Sequence, residues 1–62
     1  MADLNTEPNI QDHDGFYAEL LDAHEGHSLA ETHAMNARLV LLLANHIGDR
    51  EVLSQALQAA RG

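Results

Sequence analysis

The sequence predicts an all-α fold: a small three-helix domain with a long central helix, preceded by an extended N-terminal arm. Three observations carry this. Apolar residues recur at intervals of three and four, not two, in three separate stretches. The stretches are bracketed by residues that start and stop helices, aspartate or serine in front and glycine behind. No segment alternates apolar with polar as a half-buried strand does, and there is no internal repeat. At 62 residues the chain has room for one domain.

Residues 1–11 read as the arm. "NTEPNIQ" is polar and aperiodic, and Pro8 disfavours helix at Glu7. Leu4 and Ile10 are its only sizeable apolar anchors beyond Met1, and they either dock on the body or leave the arm loose. Residues 12–62 form the three-helix domain. Its first helix is expected over His13–His24, capped by Asp12 or Asp14, whose carboxylate accepts from the free first-turn amides. Phe16, Leu20 and Ala23, with Tyr17, Leu21 and His24 one step round, make one broad apolar face, and Gly26 is the stop.

The second helix is expected over Leu29–Ile47. Ser28 and Glu31 have the S-x-x-E spacing of a capping box, and Gly48 supplies a left-handed C-cap. Nineteen residues at 1.5 Å each make a rod of roughly 28 Å. The third helix, over 50–61, starts at once behind Asp49, with an apolar stripe of Val52, Leu53, Ala56, Leu57 and Ala60. The Gly48-Asp49 step is so short that helices two and three must form a tight corner or hairpin.

A helical wheel divides the second helix into two stripes. Leu29, His33, Asn36, Ala37, Val40, Leu43, Ala44 and Ile47 fall within about 60° either side of Val40 and are the expected core face, meeting helices one and three. Met35, Leu39, Leu42 and His46 form a second stripe with the 4, 3, 4 spacing of a helix–helix seam, and are the expected partner-binding residues. Leu41 lies on the flank, and Glu31, Arg38 and Asn45 are left for solvent. An exposed apolar stripe of this size marks an interface, so a protein partner is expected, either an enzyme subunit or a second copy.

Charge narrows the classes of partner. The formal charge is −7, and residues 1–31 hold eight of the ten acids and no Lys or Arg. Phosphate backbones and anionic membranes are bound through cationic patches, which this chain lacks, so neither nucleic acid nor membrane is expected as a partner. An acidic surface steers instead toward a basic patch on a protein. The longest apolar run, Leu39–Ala44, is far short of the roughly 18–20 residues that span a bilayer. The start "MADLNTEPNI" has no basic n-region, and the expected location is the cytoplasm.

Catalysis is not expected. The chain has no phosphate-binding glycine loop, no H-E-x-x-H and no cysteine, and it is too short to wall off a dry pocket. No cofactor is expected, and no structural metal. Of the five histidines, His24 and His27 are the weak candidates for a metal, being i, i+3 with Asp22 and Glu25 nearby, but Gly26 interrupts the helix between them.

Three segments resemble a known family: "LNTEPNI" (4–10), "DGFYAELLDAH" (14–24) and "NARLVLLLANHIGD" (36–49). Together they are similar to an uncharacterised family of short proteobacterial proteins, domain-of-unknown-function family twenty-seven eighty-three. The last segment is the most specific, setting Asn36, Arg38, Asn45 and His46 at fixed places in an apolar run. The Asp-His-Asp around His13 and "HSLAETHAM" depart from the pattern, so histidine chemistry there would be particular to this chain. The resemblance implies a small accessory subunit, a companion of flavin-dependent aromatic-ring hydroxylases or related oxidoreductases. It assigns no residue to a flavin. The expected function is therefore a non-catalytic helical interaction module, with a self-associating regulatory homodimer or a small histidine metal-binding protein as alternatives.

Overall fold

A computed structural model describes residues 2–62. It contains three helices and, among the described residues, no strand: α1 over His13–His24, α2 over Leu29–Ile47 and α3 over Arg50–Arg61. Each starts at a side-chain cap. Asp12, itself left-handed at φ 51, accepts from the Gly15 amide at 3.2 Å. Gly15 is suited to this position, because a Cβ there would fall on the Asp12 carboxylate. Ser28 and Glu31 form a complete capping box: the Glu31 amide donates to Ser28 Oγ at 3.2 Å and the Ser28 amide to Glu31 Oε1 at 2.8 Å. The Asp49 carboxylate accepts from the Glu51 and Val52 amides at 3.0 and 3.1 Å. Gly48, at φ 72, ends α2, its amide donating to the Ala44 carbonyl.

The helices do not close over a core. No residue among those described is buried, and no pair of helices packs along its length. The radius of gyration is 13.4 Å, against about 10.6 Å for a compact chain of this length. The accessible surface is 5563 Å², some 1,600 Å² above the roughly 3,950 Å² usual for a folded monomer of 6.8 kDa. Isolated helices as short as the 12 residues of α1 and α3 are marginal in water, so propensity and caps alone do not hold such an arrangement together.

Where the chain does come together, two side chains make the joints. The N-terminal arm lies on α3: the Leu4 amide donates to Gln55 Oε1 at 2.8 Å, and Gln55 Nε2 donates to Asp3 Oδ1 at 3.4 Å. Ala2, Leu4, Val52, Leu53, Gln55 and Ala56 are half-buried there, while Ile10 and Leu57 stay exposed. At the other joint His24, in the last turn of α1, lies within hydrogen-bonding distance of Asn36 on α2, Nε2 to Oδ1 at 3.1 Å.

The expected core face of α2 is not covered. Of its eight residues only Ala44 is half-buried; Leu29 is 73% exposed, Val40 60%, and Leu43 and Ile47 50% each. The half-buried apolar side chains in the middle of α2 are Met35 and Leu39, which belong to the other stripe. The physical reason lies in the connection. Both stripes are apolar enough to receive a neighbour; the short turn from His24 to Ser28 sets α1 against Met35 and Leu39, while Asn36, from the Val40-centred face, meets His24 at the end of α1.

Candidate functional site

Between α1 and α2 runs an open apolar groove of about 320 Å³. Phe16, Glu19, Leu20 and Ala23 line it from α1, one turn apart along the face that the i, i+4, i+7 spacing defines. Met35, Arg38, Leu39 and Leu42 line it from α2. Three of the four residues expected to bind a partner are thus gathered in one concave surface. Met35 and Leu39 form its half-buried part, and Leu42 is 69% exposed. His46 is not among the lining residues; it is exposed in the last turn of α2. Phe16, at 44% exposure, adds an aromatic ring that can be covered further.

The lining holds one acid, Glu19, and one base, Arg38, and is otherwise apolar. It has no nucleophile and no cluster of titratable groups of the kind hydrolytic or transfer chemistry needs. Such a surface discriminates by shape and apolar area, and methionine adapts readily to the contour of what it meets.

The histidines are dispersed. His24 uses both ring nitrogens: Nδ1 lies 2.9 Å from the Leu20 carbonyl oxygen and Nε2 3.1 Å from the Asn36 side chain. A neutral ring that donates from Nδ1 accepts at Nε2, which an Asn36 amide turned to present its NH2 group satisfies. Neither nitrogen is then free for a metal, and His24 works as the strut between α1 and α2. His27 lies beyond the end of α1 and is exposed, His33 is exposed on α2, and His13 stands 3.6 Å from the Asp14 carboxylate. Among the described residues no group of three or more His, Cys, Asp or Glu side chains could hold a metal ion. No helix of the described residues is long and apolar enough to cross a membrane.

One titration is displaced. Hydrogen bonds from the Ser28 backbone amide and then the Ser28 hydroxyl hold the Glu31 carboxyl below the usual carboxylate range. That is an expression of the capping box and not of a reactive centre.

Two structurally important residues have little signature in the sequence. Gln55 fixes the arm, and the only hint is a polar residue set among the apolar positions Val52, Leu53 and Ala56. Asn36 receives His24, and the hint there is an amide on a face that is mostly apolar.

Neither the curated proteins nor the solved structures contain a match to this chain. A family profile does match, over residues 4–62, nearly the whole of the chain and all three of its helices. The chain therefore belongs to the family described as "protein of unknown function (DUF2783)".

Proposed function

We propose that this protein is a non-catalytic helical interaction module, a small accessory subunit whose α1–α2 groove takes an apolar segment of a larger protein. The observation that supports this reading is an open groove lined by Phe16, Leu20, Met35, Leu39 and Leu42 in a chain that buries none of its described residues. Ordering a residue costs about 1–2 kcal/mol of backbone entropy, and a chain without a core recovers that only against another surface. The family resemblance suggests the class of the larger protein, a flavin-dependent oxidoreductase or aromatic-ring hydroxylase. The acids of the arm and α1 favour an approach to a basic region of that partner.

Co-expression of the chain with a flavin-dependent oxidoreductase of the class that the family resemblance suggests, followed by affinity capture, tests the reading. The expected result is a complex of defined stoichiometry that Leu42→Glu abolishes. Leu42 is exposed in the free chain, so the substitution places a charge in the groove while leaving the chain's own helices intact. If the oxidoreductase is stable and fully active alone and does not retain the chain, the reading is lost.

A further inference from the structure

The Asp-His-Asp run at the head of α1 takes no part in the groove, and its last residue is set up for a different chemistry. Asp14 is the only aspartate or asparagine in the chain that glycine follows. Gly15 carries no Cβ, so among the amides that follow such a residue its nitrogen has the least hindered approach to the neighbouring carboxyl. The Asp14 side chain is fully exposed. Among the described residues its one polar contact is His13, whose Nδ1 stands 3.6 Å from Asp14 Oδ1 and whose own side chain is 72% exposed. The cap is what keeps amide and carboxyl apart. The Gly15 N–H donates to Asp12 Oδ1 at 3.2 Å, which turns it toward Asp12 and away from the carboxyl beside it. That arrangement is lightly held. Asp12 stands at φ 51, a left-handed conformation that a residue with a Cβ adopts at a cost. Glycine is among the poorest helix formers, and α1 buries no residue that would anchor its first turn.

We propose that Asp14–Gly15 is a self-modification site, at which opening of the first turn lets the peptide rearrange to isoaspartate, and that the Asp12 cap is its guard. The Gly15 nitrogen attacks Cγ of the neutral Asp14 carboxyl. A bond forms from nitrogen to Cγ, the C–OH bond of the carboxyl breaks, and the hydroxyl leaves as water with the Gly15 amide proton. Water then opens the cyclic imide. Cleavage at Cγ restores aspartate, and cleavage at the backbone carbonyl leaves the chain running through the side chain, one methylene longer and unchanged in mass. No oxidant, metal or partner enters. The first hydrogen bond of α1, from the Phe16 amide to the Asp12 carbonyl at 3.0 Å, spans the altered link. The added methylene therefore breaks that turn and carries Phe16 out of step with Leu20 and Ala23 on the groove wall. The chemistry takes place within one chain, so it stands or falls apart from the function proposed for the groove.

The full chain, held at neutral pH and growth temperature, is sampled over weeks. Isoaspartate is read as methyl groups transferred from labelled S-adenosylmethionine by an isoaspartyl methyltransferase, and is placed by peptide mapping. The label is expected at residue 14 and not at the other aspartates. Asp12→Ala, which removes the cap, should raise the rate in water about five-fold, the factor by which loss of an N-cap shifts a helix equilibrium. In concentrated urea wild type and Asp12→Ala should react at one common, faster rate, a comparison that holds whether or not the variant folds. Asp14→Glu should abolish the label, because its carboxyl closes a six-membered ring far less readily. The isomerised chain, separated by chromatography, should show less helix by circular dichroism than the parent. No isoaspartate at residue 14, equal rates for wild type and Asp12→Ala in water, or a label that persists in Asp14→Glu overturns the proposal.

Discussion

At the scale of single residues, backbone conformation and local hydrogen bonds dominate. Gly48 sits at φ 72, and the nearest atom to a Cβ placed there is the Asn45 carbonyl oxygen at 3.8 Å, an ordinary contact. Alanine at this position therefore meets no steric obstacle and experiences only the left-handed backbone penalty. Gly48→Ala is expected to cost about 1 kcal/mol, measurable by denaturant unfolding. Glu31 offers a pH readout. Its carboxyl is held low by the Ser28 amide and hydroxyl, so the folded chain binds that proton less readily than the unfolded chain does. Its contribution is present above the ordinary glutamate range and is lost as the pH falls through the lowered folded value. In an acid titration followed by circular dichroism, Glu31→Gln should remove this component and leave the loss of helicity less steep. These features were readable in advance because they are local. Ser28 and Glu31 are three residues apart, Gly48 and Asp49 adjacent, and the partners of each cap are backbone amides whose positions the helix itself dictates.

At the scale of elements, legibility depends on whether a signal is periodic or positional. The ends of α1, α2 and α3 coincide with their caps, and the two apolar stripes of α2 follow from period alone. Which stripe receives α1 does not, because that is decided by the turn from His24 to Ser28. The expected core face and the expected seam accordingly exchanged neighbours: Met35 and Leu39 face α1, and Val40 and Leu43 face outward. The fate of the arm was equally hidden, since it depends on Gln55, a side chain 51 positions from Leu4. Two outcomes test these joints. Ser28→Ala should destabilise α2 by about 1 kcal/mol through loss of its N-cap. Gln55→Ala should leave the helical content unchanged while raising the hydrogen-exchange rate of the Leu4 amide, whose acceptor it removes.

At the scale of the whole molecule, stability is expected to depend on what covers the helices. A chain of 62 residues is near the lower limit for a self-sufficient core, and this one exposes its large aliphatics instead. Anything that binds the folded form raises its apparent stability by mass action. The midpoint of thermal unfolding, followed by circular dichroism, should therefore climb when a protein that fills the groove is added. A midpoint indifferent to that addition would show that three sparsely packed helices suffice.

Helices without a buried face also open their backbones readily to the active sites of proteases, which need extended, accessible chain. A free copy is then expected to be short-lived and a covered copy to persist. Newly made chains in excess of what covers them would be removed, so the steady amount in the cell would follow the amount of the covering protein with no dedicated control of synthesis. A pulse-chase comparison of wild type with Leu42→Glu and Val40→Glu, each expected to decay faster, would show which of the two faces of α2 sets that lifetime.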